Sequence, residues 1–185
     1  MESSVSNTKG SKKRERDLTN SATVLEDEFA SYPYEVLDDD HCETPLEAYQ
    51  DIQSVLLTFV EMLGISINTF KIYDPYFCEG NTVKRLNSLG FNNVYNKKED
   101  FYKVQSSGSI PDYDILITNP PYSSDHVEKL FNFCIGSKKP WMLLLPNYFY
   151  MRDYFAAVKK SCQPFFIIPS KGHRYLYTTP KVSIY

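Results

Sequence analysis

The 185-residue sequence lacks long hydrophobic runs, and none reaches the 18 apolar residues that indicate a transmembrane helix. Residues 1–20 are hydrophilic and lack the apolar segment of a secretory signal. We therefore expect an intracellular protein, in the nucleus or the cytoplasm, with no membrane partner. The length indicates one domain, and 42% apolar with 23% charged residues is typical of a soluble globular protein.

Patterns typical of metal and hydrolase sites are also lacking. The four cysteines, at positions 42, 78, 134 and 162, form no Cys-x-x-Cys pair, and the three histidines show no metal-ligand spacing. Neither a Gly-x-Ser-x-Gly motif nor a phosphate-binding loop occurs. His126 falls in the first turn of a predicted helix, and we interpret it as a surface residue rather than a catalytic base. The sequence therefore predicts no metal, no zinc knuckle and no disulfide framework.

Basic residues are absent from residues 17–70, which carry twelve acidic side chains. Residues 1–16 have five basic and two acidic side chains, whereas residues 71–185 have fifteen basic and nine acidic, a net charge of +6. The basic region could face phosphates, with the acidic region tuning that attraction. Both regions could equally be solvated surfaces, and the sequence leaves the two interpretations open.

The chain divides into a tail and a single regular domain. Residues 1–22 are polar and basic, which predicts a disordered tail. Residues 23–185 form the predicted domain, with an acidic lead-in at 23–43. Strands are predicted at 70–73, 93–95, 113–118, 141–145 and 165–168, and helices at 45–63, 82–89, 125–135 and 148–160. This alternation predicts an α/β fold with a mostly parallel sheet.

Two helix starts are predicted from capping residues. Thr44 is expected to cap the first helix, with Pro45 in its first turn and Glu47 completing a capping box. Asn147 is expected to cap the last helix.

The segment Asn119-Pro120-Pro121-Tyr122 directly follows the apolar strand at 113–118, where ligands bind in open α/β sheets. Its prolines stiffen the turn. The Asn119 side-chain oxygen and the Pro120 carbonyl can accept both protons of one substrate NH2 group, which frees the nitrogen lone pair for attack. Tyr122 offers a flat face on which a planar base or amide can stack.

A second segment, Tyr73 to Thr82, joins the first predicted strand to a helix. Gly80 allows close backbone approach to a ligand, and the amide groups at the helix start favour a carboxylate. Asp74 can accept hydrogen bonds from a ligand ammonium. An ordinary strand-to-helix turn is the alternative interpretation.

Together these segments resemble the amino-methyltransferases that use S-adenosylmethionine, and in particular a little-characterised eukaryotic branch of the adenine-N6 enzymes. Residues 74–80 align with the family's Asp-Pro-Phe-x-Gly-x-Gly motif, with Cys78 at a usual glycine position. The catalytic Asn-Pro-Pro-Tyr motif at 119–122 is intact, and residues 42–45 are similar to the Thr-Pro element that precedes the cofactor motif. The resemblance covers residues 42–170.

The resemblance implies a Rossmann-like class I methyltransferase sheet in a single methyltransferase-like domain. The short stretch between Asn96 and Tyr113 leaves little room for the family's third strand, and the final hairpin is not evident. By resemblance, Asn96 takes the ribose position and Asp100 the adenine position of the cofactor, whereas turn and helix capping are the alternatives. The implied cofactor-binding residues are Thr44, Asp74, Tyr76, Gly80, Asn96 and Asp100, and the implied catalytic residues are Asn119, Pro120, Pro121 and Tyr122.

The implied activity is methylation of the N6 amino group of adenine in RNA or DNA. The alternatives are N5-methylation of a protein glutamine and a non-catalytic methyltransferase-like subunit. The Asp-Pro-aromatic opening and the net charge of +6 over 71–185 favour nucleic acid. Residues 171–177 mix basic and aromatic side chains, which suits a nucleic-acid strand or a packed β-strand. No target-recognition domain is evident, so a partner subunit or a longer native chain is expected to supply one.

Overall fold

The computed structural model describes Asp40, residues 42–170 and residues 174–177. The predicted tail at 1–22 and most of the acidic lead-in at 23–43 lie outside these residues. Within the described part of the chain, no helix combines the length and the apolar character that crossing a membrane requires.

The fold is α/β, built on four parallel strands in the order β2-β1-β3-β4. The strands are β1 (Lys71–Tyr73), β2 (Asn93–Tyr95), β3 (Ile115–Thr118) and β4 (Trp141–Leu143). The helices are α1 (Leu46–Leu63), α2 (Asn81–Ser88), α3 (Phe101–Ser106), α4 (His126–Ser137) and α5 (Phe155–Ser161), with a 3₁₀ helix at Asn147–Met151. All four residues of β3 are buried, as its continuous apolar run predicts. This architecture is compatible with a Rossmann-like fold.

Helices cover both faces of the sheet because alternate strand residues point to opposite sides. Ile115 and Ile117 pack with Leu56 of α1 and with α2 on one face. Leu116, between them in sequence, packs with α3 and α4 on the other. The 3₁₀ helix and α5 extend this second layer through the buried ring of Phe149.

The first helix has the predicted length but a different start. It ends where Gly64 adopts a left-handed conformation, with φ of 64°. Pro45 occupies the N-cap and no side chain caps the helix, so the predicted Thr44 capping box is wrong. The reason is that Thr44 is turned inward and is 8% exposed.

The predicted helix from Asn147 is also wrong in part, because it is broken in two. Pro146 rather than Asn147 precedes the 3₁₀ helix, and Arg152 is extended, with ψ of 145°, before α5 begins. The aromatic residues at 148–150 lose side-chain freedom in an α-helix, and Phe149 is instead inserted in the core.

The predicted strand at 165–168 does not form. Phe165 is 96% and Ile168 82% exposed, and no described strand pairs with this segment. An apolar run becomes a strand only where a neighbouring strand accepts its hydrogen bonds.

Between β2 and β3 the described chain contains α3 and no strand, which agrees with the little room expected there. The chain runs outward from β1 to β2 and then returns to place β3 on the other side of β1. The strand order therefore reverses between β1 and β3, and a crevice forms beyond their carboxyl ends.

We predict that Ile168→Ala leaves the free energy of unfolding within about 0.5 kcal/mol of the wild type, because this side chain is exposed. The matched change Ile117→Ala, in the centre of the sheet, should cost about 2–5 kcal/mol. Urea denaturation of both variants measures the difference. Equal losses would show that residues 165–168 are packed as a strand.

Candidate functional site

A cleft of about 520 Å³ lies at the carboxyl ends of β1 and β3. Asp74 directly follows β1 and Asn119 directly follows β3, and both line it. Six of the ten predicted site residues form its walls: Thr44, Asp74, Tyr76, Asp100, Asn119 and Pro121.

The Asp74 carboxylate is the most deeply buried charge-bearing group in the cleft, with 3% of the residue exposed. Its Oδ1 accepts hydrogen bonds from the Thr118 hydroxyl at 2.6 Å and from the Tyr76 backbone N–H at 3.2 Å. Its Oδ2 accepts from the Thr82 hydroxyl at 2.9 Å. Within the described part of the chain, no Lys, Arg or His forms an ion pair with this carboxylate.

Burial raises the pKa of Asp74 to about 7. The hydrogen bonds from Thr118, Thr82 and the Tyr76 amide oppose this rise, and the nearby Glu43 carboxylate adds to it. A ligand ammonium at this position would therefore meet a carboxyl group that ionises near neutral pH.

The hydrogen-bond network of Asp74 continues through further hydroxyl groups. The Tyr49 hydroxyl lies 3.1 Å from the Thr82 hydroxyl and also bonds to Thr44. Burial raises the pKa of Tyr49, as does the neighbouring Asp74. Thr44 therefore faces the site through this network rather than capping α1.

Asp40 and residues 42–44, which we call the N-terminal strap, cross between the two loops of the cleft. The Asp40 carboxylate accepts from the backbone N–H groups of Tyr122 at 2.9 Å and Ser123 at 3.1 Å, and from the Ser123 hydroxyl. The Cys42 carbonyl lies 3.5 Å from Nδ2 of Asn119. The strap therefore holds the loop that follows β3.

The other end of the strap holds the loop that follows β1. Glu43 is 5% exposed and accepts from the Glu79 backbone N–H at 2.7 Å. Its second oxygen pairs with Arg85 of α2 at 2.5 Å, and Arg85 also donates to the Thr44 carbonyl. Both loops are thereby fixed before any ligand binds.

The Asn119 amide is oriented by its neighbours. Its Oδ1 lies 2.5 Å from the Tyr122 hydroxyl, which is also 3.0 Å from the Leu144 carbonyl. A hydroxyl can only donate to the amide oxygen, and the Cys42 carbonyl can only accept from the amide nitrogen, so these contacts agree on the amide orientation.

Tyr122 lies beside the cleft and not in its wall. Its ring packs 5.7 Å from the Phe149 ring, between centroids. Burial raises the pKa of Tyr122, and the adjacent Tyr177 hydroxyl, Cys42 thiol and Tyr148 hydroxyl contribute. The structure thus places the ring of Tyr122 on the β4 side of the cleft. The stacking role of this ring stays a prediction.

Gly80 has a structural role that the sequence did not predict. It is the N-cap of α2 with φ of 73°, and a Cβ there would lie 2.8 Å from the Phe77 ring. Replacing Gly80 would therefore strain the fold whether or not a ligand approaches it.

Asn96 and Asp100 both have contacts within the fold. Nδ2 of Asn96 donates to the carbonyls of Asp74 at 3.2 Å and Tyr76 at 3.3 Å, which ties β2 to the loop after β1. Its Oδ1 is buried without a hydrogen-bond partner among the described residues. Asp100 caps α3, accepting from the N–H groups of Tyr102 and Lys103, as the capping alternative predicts.

The sequence interpretation missed several residues of the site. Thr118 carried a signal, since it is a hydroxyl residue at the end of an otherwise apolar strand. His126 is half-buried and lines the cleft, with Nδ1 2.5 Å from the Tyr102 hydroxyl, a position that its interpretation as a surface residue did not anticipate. Asp40 and Glu43 gave no local signal, because their partners lie 82 and 36 residues away.

Among the described residues, no group of three or more His, Cys, Asp or Glu side chains could hold a metal ion. Comparison of the chain with protein-family models, curated proteins and solved structures found no match.

We predict that Asp74→Asn stabilises the free protein near neutral pH. The folded-state pKa of about 7 lies above the ordinary pKa of 3.8 for an aspartate side chain, so the wild type loses stability as pH rises between these values, by about 4 kcal/mol in total. The asparagine amide keeps an oxygen for Thr118 and can donate to Thr82. Urea denaturation at several pH values in this range measures the difference in unfolding free energy between the two proteins, which should widen as pH rises.

The exposed carboxylate of Asp153 provides the control. Asp153→Asn should follow the wild-type pH dependence. A pH-independent difference between the wild type and Asp74→Asn would contradict the raised pKa of Asp74.

Proposed function

We propose that this protein is an S-adenosylmethionine-dependent N-methyltransferase with a class I methyltransferase sheet, acting on the N6 amino group of adenine in RNA or DNA. One observation carries the proposal. Asp74, a buried carboxylate that pairs with no cation among the described residues, and the residues Asn119 and Pro121 follow adjacent strands of a parallel sheet and line the same cleft.

The residues present fit the cofactor. The cleft of about 520 Å³ is in the range of about 300–1,000 Å³ common for ligand pockets. Asp74 would hold the ammonium group, which supplies the cation its carboxylate lacks. Asn96 does not line the cleft, but its buried Oδ1 has no partner in the described chain, and we assign it as the acceptor for a ribose hydroxyl. When bound, S-adenosylmethionine supplies an electrophilic methyl group.

The chain's own contribution to the reaction is positioning and polarisation. Oδ1 of Asn119 and the Pro120 carbonyl accept the two amino protons, which localises the lone pair on the nitrogen. The Asn119 oxygen has two lone pairs, so it can accept an amino proton while Tyr122 still donates to it. The strap keeps the turn in place through Asp40.

Nucleic acid is the preferred substrate because residues 71–185 carry a net charge of +6. The direct test is incubation with methyl-labelled cofactor and total RNA, genomic DNA or protein in parallel. Label in N6-methyladenine supports the proposal. Label in protein glutamine alone would replace it with the glutamine alternative, and no transfer to any substrate would favour the non-catalytic subunit.

We predict that Asn119→Ala lowers the rate of methyl transfer by about 10²- to 10³-fold, by analogy with the loss of one oxyanion donor. Cofactor affinity should be nearly unchanged, because Asn119 contacts the reacting amine. The variant should fold, since the Tyr122 hydroxyl keeps the Leu144 carbonyl as its acceptor. Single-turnover kinetics and titration calorimetry measure the two effects separately.

The control is Asn92→Ala, which removes an exposed asparagine bonded to Asn68 far from the cleft. It should react at the wild-type rate. If folded Asn119→Ala transfers methyl groups normally, the motif is only a turn and the catalytic role is wrong.

We predict that cofactor affinity rises with pH up to about 7, by about tenfold per pH unit, because an ammonium favours the ionised Asp74 carboxylate. Above that pH the affinity should level off. Calorimetric titration with S-adenosylmethionine at several pH values measures this profile.

Two comparisons isolate Asp74. Asp74→Asn should bind S-adenosylmethionine more weakly than the wild type, and its affinity should not rise with pH. A cofactor analogue that lacks the amino group should bind the wild type with an affinity that does not depend on pH over this range. If cofactor affinity rises equally with pH in the wild type and in Asp74→Asn, Asp74 does not bind the ammonium group.

A further inference from the structure

We propose that Tyr148, Tyr150 and Arg152, which we call the aromatic platform, bind the single-stranded nucleic acid that carries the target base. This inference rests on the proposed function, and it adds the surface that receives the substrate and the form of nucleic acid that this surface accepts.

The platform lies beside the catalytic turn. It follows β4, whose neighbour in the sheet is β3, so both segments emerge at the same edge. The Tyr122 ring contacts the Phe149 ring at 5.7 Å, and the Phe149 ring stacks on Tyr148 at 4.7 Å and 29°. The Arg152 guanidinium lies 5.6 Å from the centroid of the Tyr148 ring. A continuous line of rings thus leads from the Asn-Pro-Pro-Tyr motif to an exposed cation.

The platform is exposed but firmly anchored. Tyr148 is 39% and Tyr150 52% exposed, whereas Phe149 between them is 5% exposed. Phe149 packs against α4 and α5, and its backbone bonds to Pro146 and Arg152. Rings held in this way can receive a base with little further loss of conformational entropy.

The part of the sequence that carries the platform is basic. Residues 147–177 contain five basic side chains and one acidic side chain, Asp153. Phosphates would therefore be attracted to the same region in which bases can stack. The Tyr177 ring is 43% exposed, and the pKa of Tyr122 is raised by burial and, to a smaller extent, by electrostatic interaction with the Tyr177 hydroxyl.

Single strands fit this surface better than duplexes. An exposed ring face can stack only with a base whose own face is free, and duplex bases are already stacked on their neighbours. Rings with an adjacent guanidinium are the combination found in sequence-tolerant single-strand binding. A peptide substrate would gain little from stacked rings.

The test uses the full chain and fluorescently labelled RNA and DNA oligonucleotides of mixed sequence, each single-stranded or annealed to its complement. Anisotropy titrations over a range of salt concentrations give the affinities. We expect single strands to bind more tightly than duplexes. Tyr148→Ala and Tyr150→Ala should each weaken single-strand binding by about 5- to 150-fold, whereas Tyr148→Phe should bind like the wild type.

Arg152→Ala should weaken binding and lower the salt dependence by about one released counterion. Lys138→Ala is its charge-matched control, because Lys138 is exposed and precedes β4, at the opposite edge of the sheet. This control should bind like the wild type. Cofactor affinity should be unchanged in all five variants, which shows that each is folded.

Wild-type affinity in both tyrosine-to-alanine variants would overturn the platform, as would duplexes that bind as tightly as single strands. Equal losses of binding affinity in Arg152→Ala and Lys138→Ala would show that only the net charge of the protein matters. That result would also overturn the platform as a binding surface. The labelled-cofactor assay separates the two proposals. Methylated adenine with unaffected tyrosine variants rejects the platform alone, and platform-dependent binding without methylated adenine rejects the proposed function alone.

Discussion

The burial of the Asp74 carboxylate, which pairs with no cation among the described residues, is the constraint on which the rest of the site depends. Its hydrogen bonds come from three parts of the fold: Thr118 of β3, Thr82 of α2 and the Tyr76 N–H of the intervening loop. Hydrogen bonds to a charged group contribute about 1.5–3 kcal/mol each, so a displacement of any of these elements would leave the carboxylate poorly solvated. The strands and the loop are therefore held in register by the same group that a ligand cation would stabilise further.

The N-terminal strap gives part of the acidic sequence region a definite structural role. Asp40 and Glu43 do not lie on the surface as solvated charges, because they accept backbone N–H groups from the loops after β3 and β1. Those N–H groups would otherwise need water in a partly closed cleft. One short segment thus satisfies the hydrogen-bond donors of two loops, and the walls of the cleft are organised before any ligand binds.

The sequence predicted those features that depend on long periodic or apolar segments. Helix α1 and the buried strand β3 were of this kind, and the parallel topology then brought Asp74 and Asn119 to one edge. Features that depend on a distant neighbour were not predictable. Residues 165–168 have the composition of a strand but no strand beside them, and Thr44 turned towards Tyr49 although it stood at a helix start. The contact between Asp40 and the loop at 122–123 had no counterpart in local sequence.

The hydroxyl hydrogen of Tyr122 has two possible acceptors, one in the loop after β3 and one in the segment after β4. Its hydroxyl lies within hydrogen-bonding distance of both Oδ1 of Asn119 and the Leu144 carbonyl, but it can donate to only one of them at a time. Donation to Leu144 leaves both lone pairs of the Asn119 oxygen for a ligand's hydrogen-bond donor, and donation to Asn119 leaves one. Because Leu144 precedes the 3₁₀ helix and the Tyr122 ring packs on Phe149, a shift of that helix changes the balance between the two acceptors. The acceptor strength of Asn119 is therefore tied to the position of the segment that carries Tyr148.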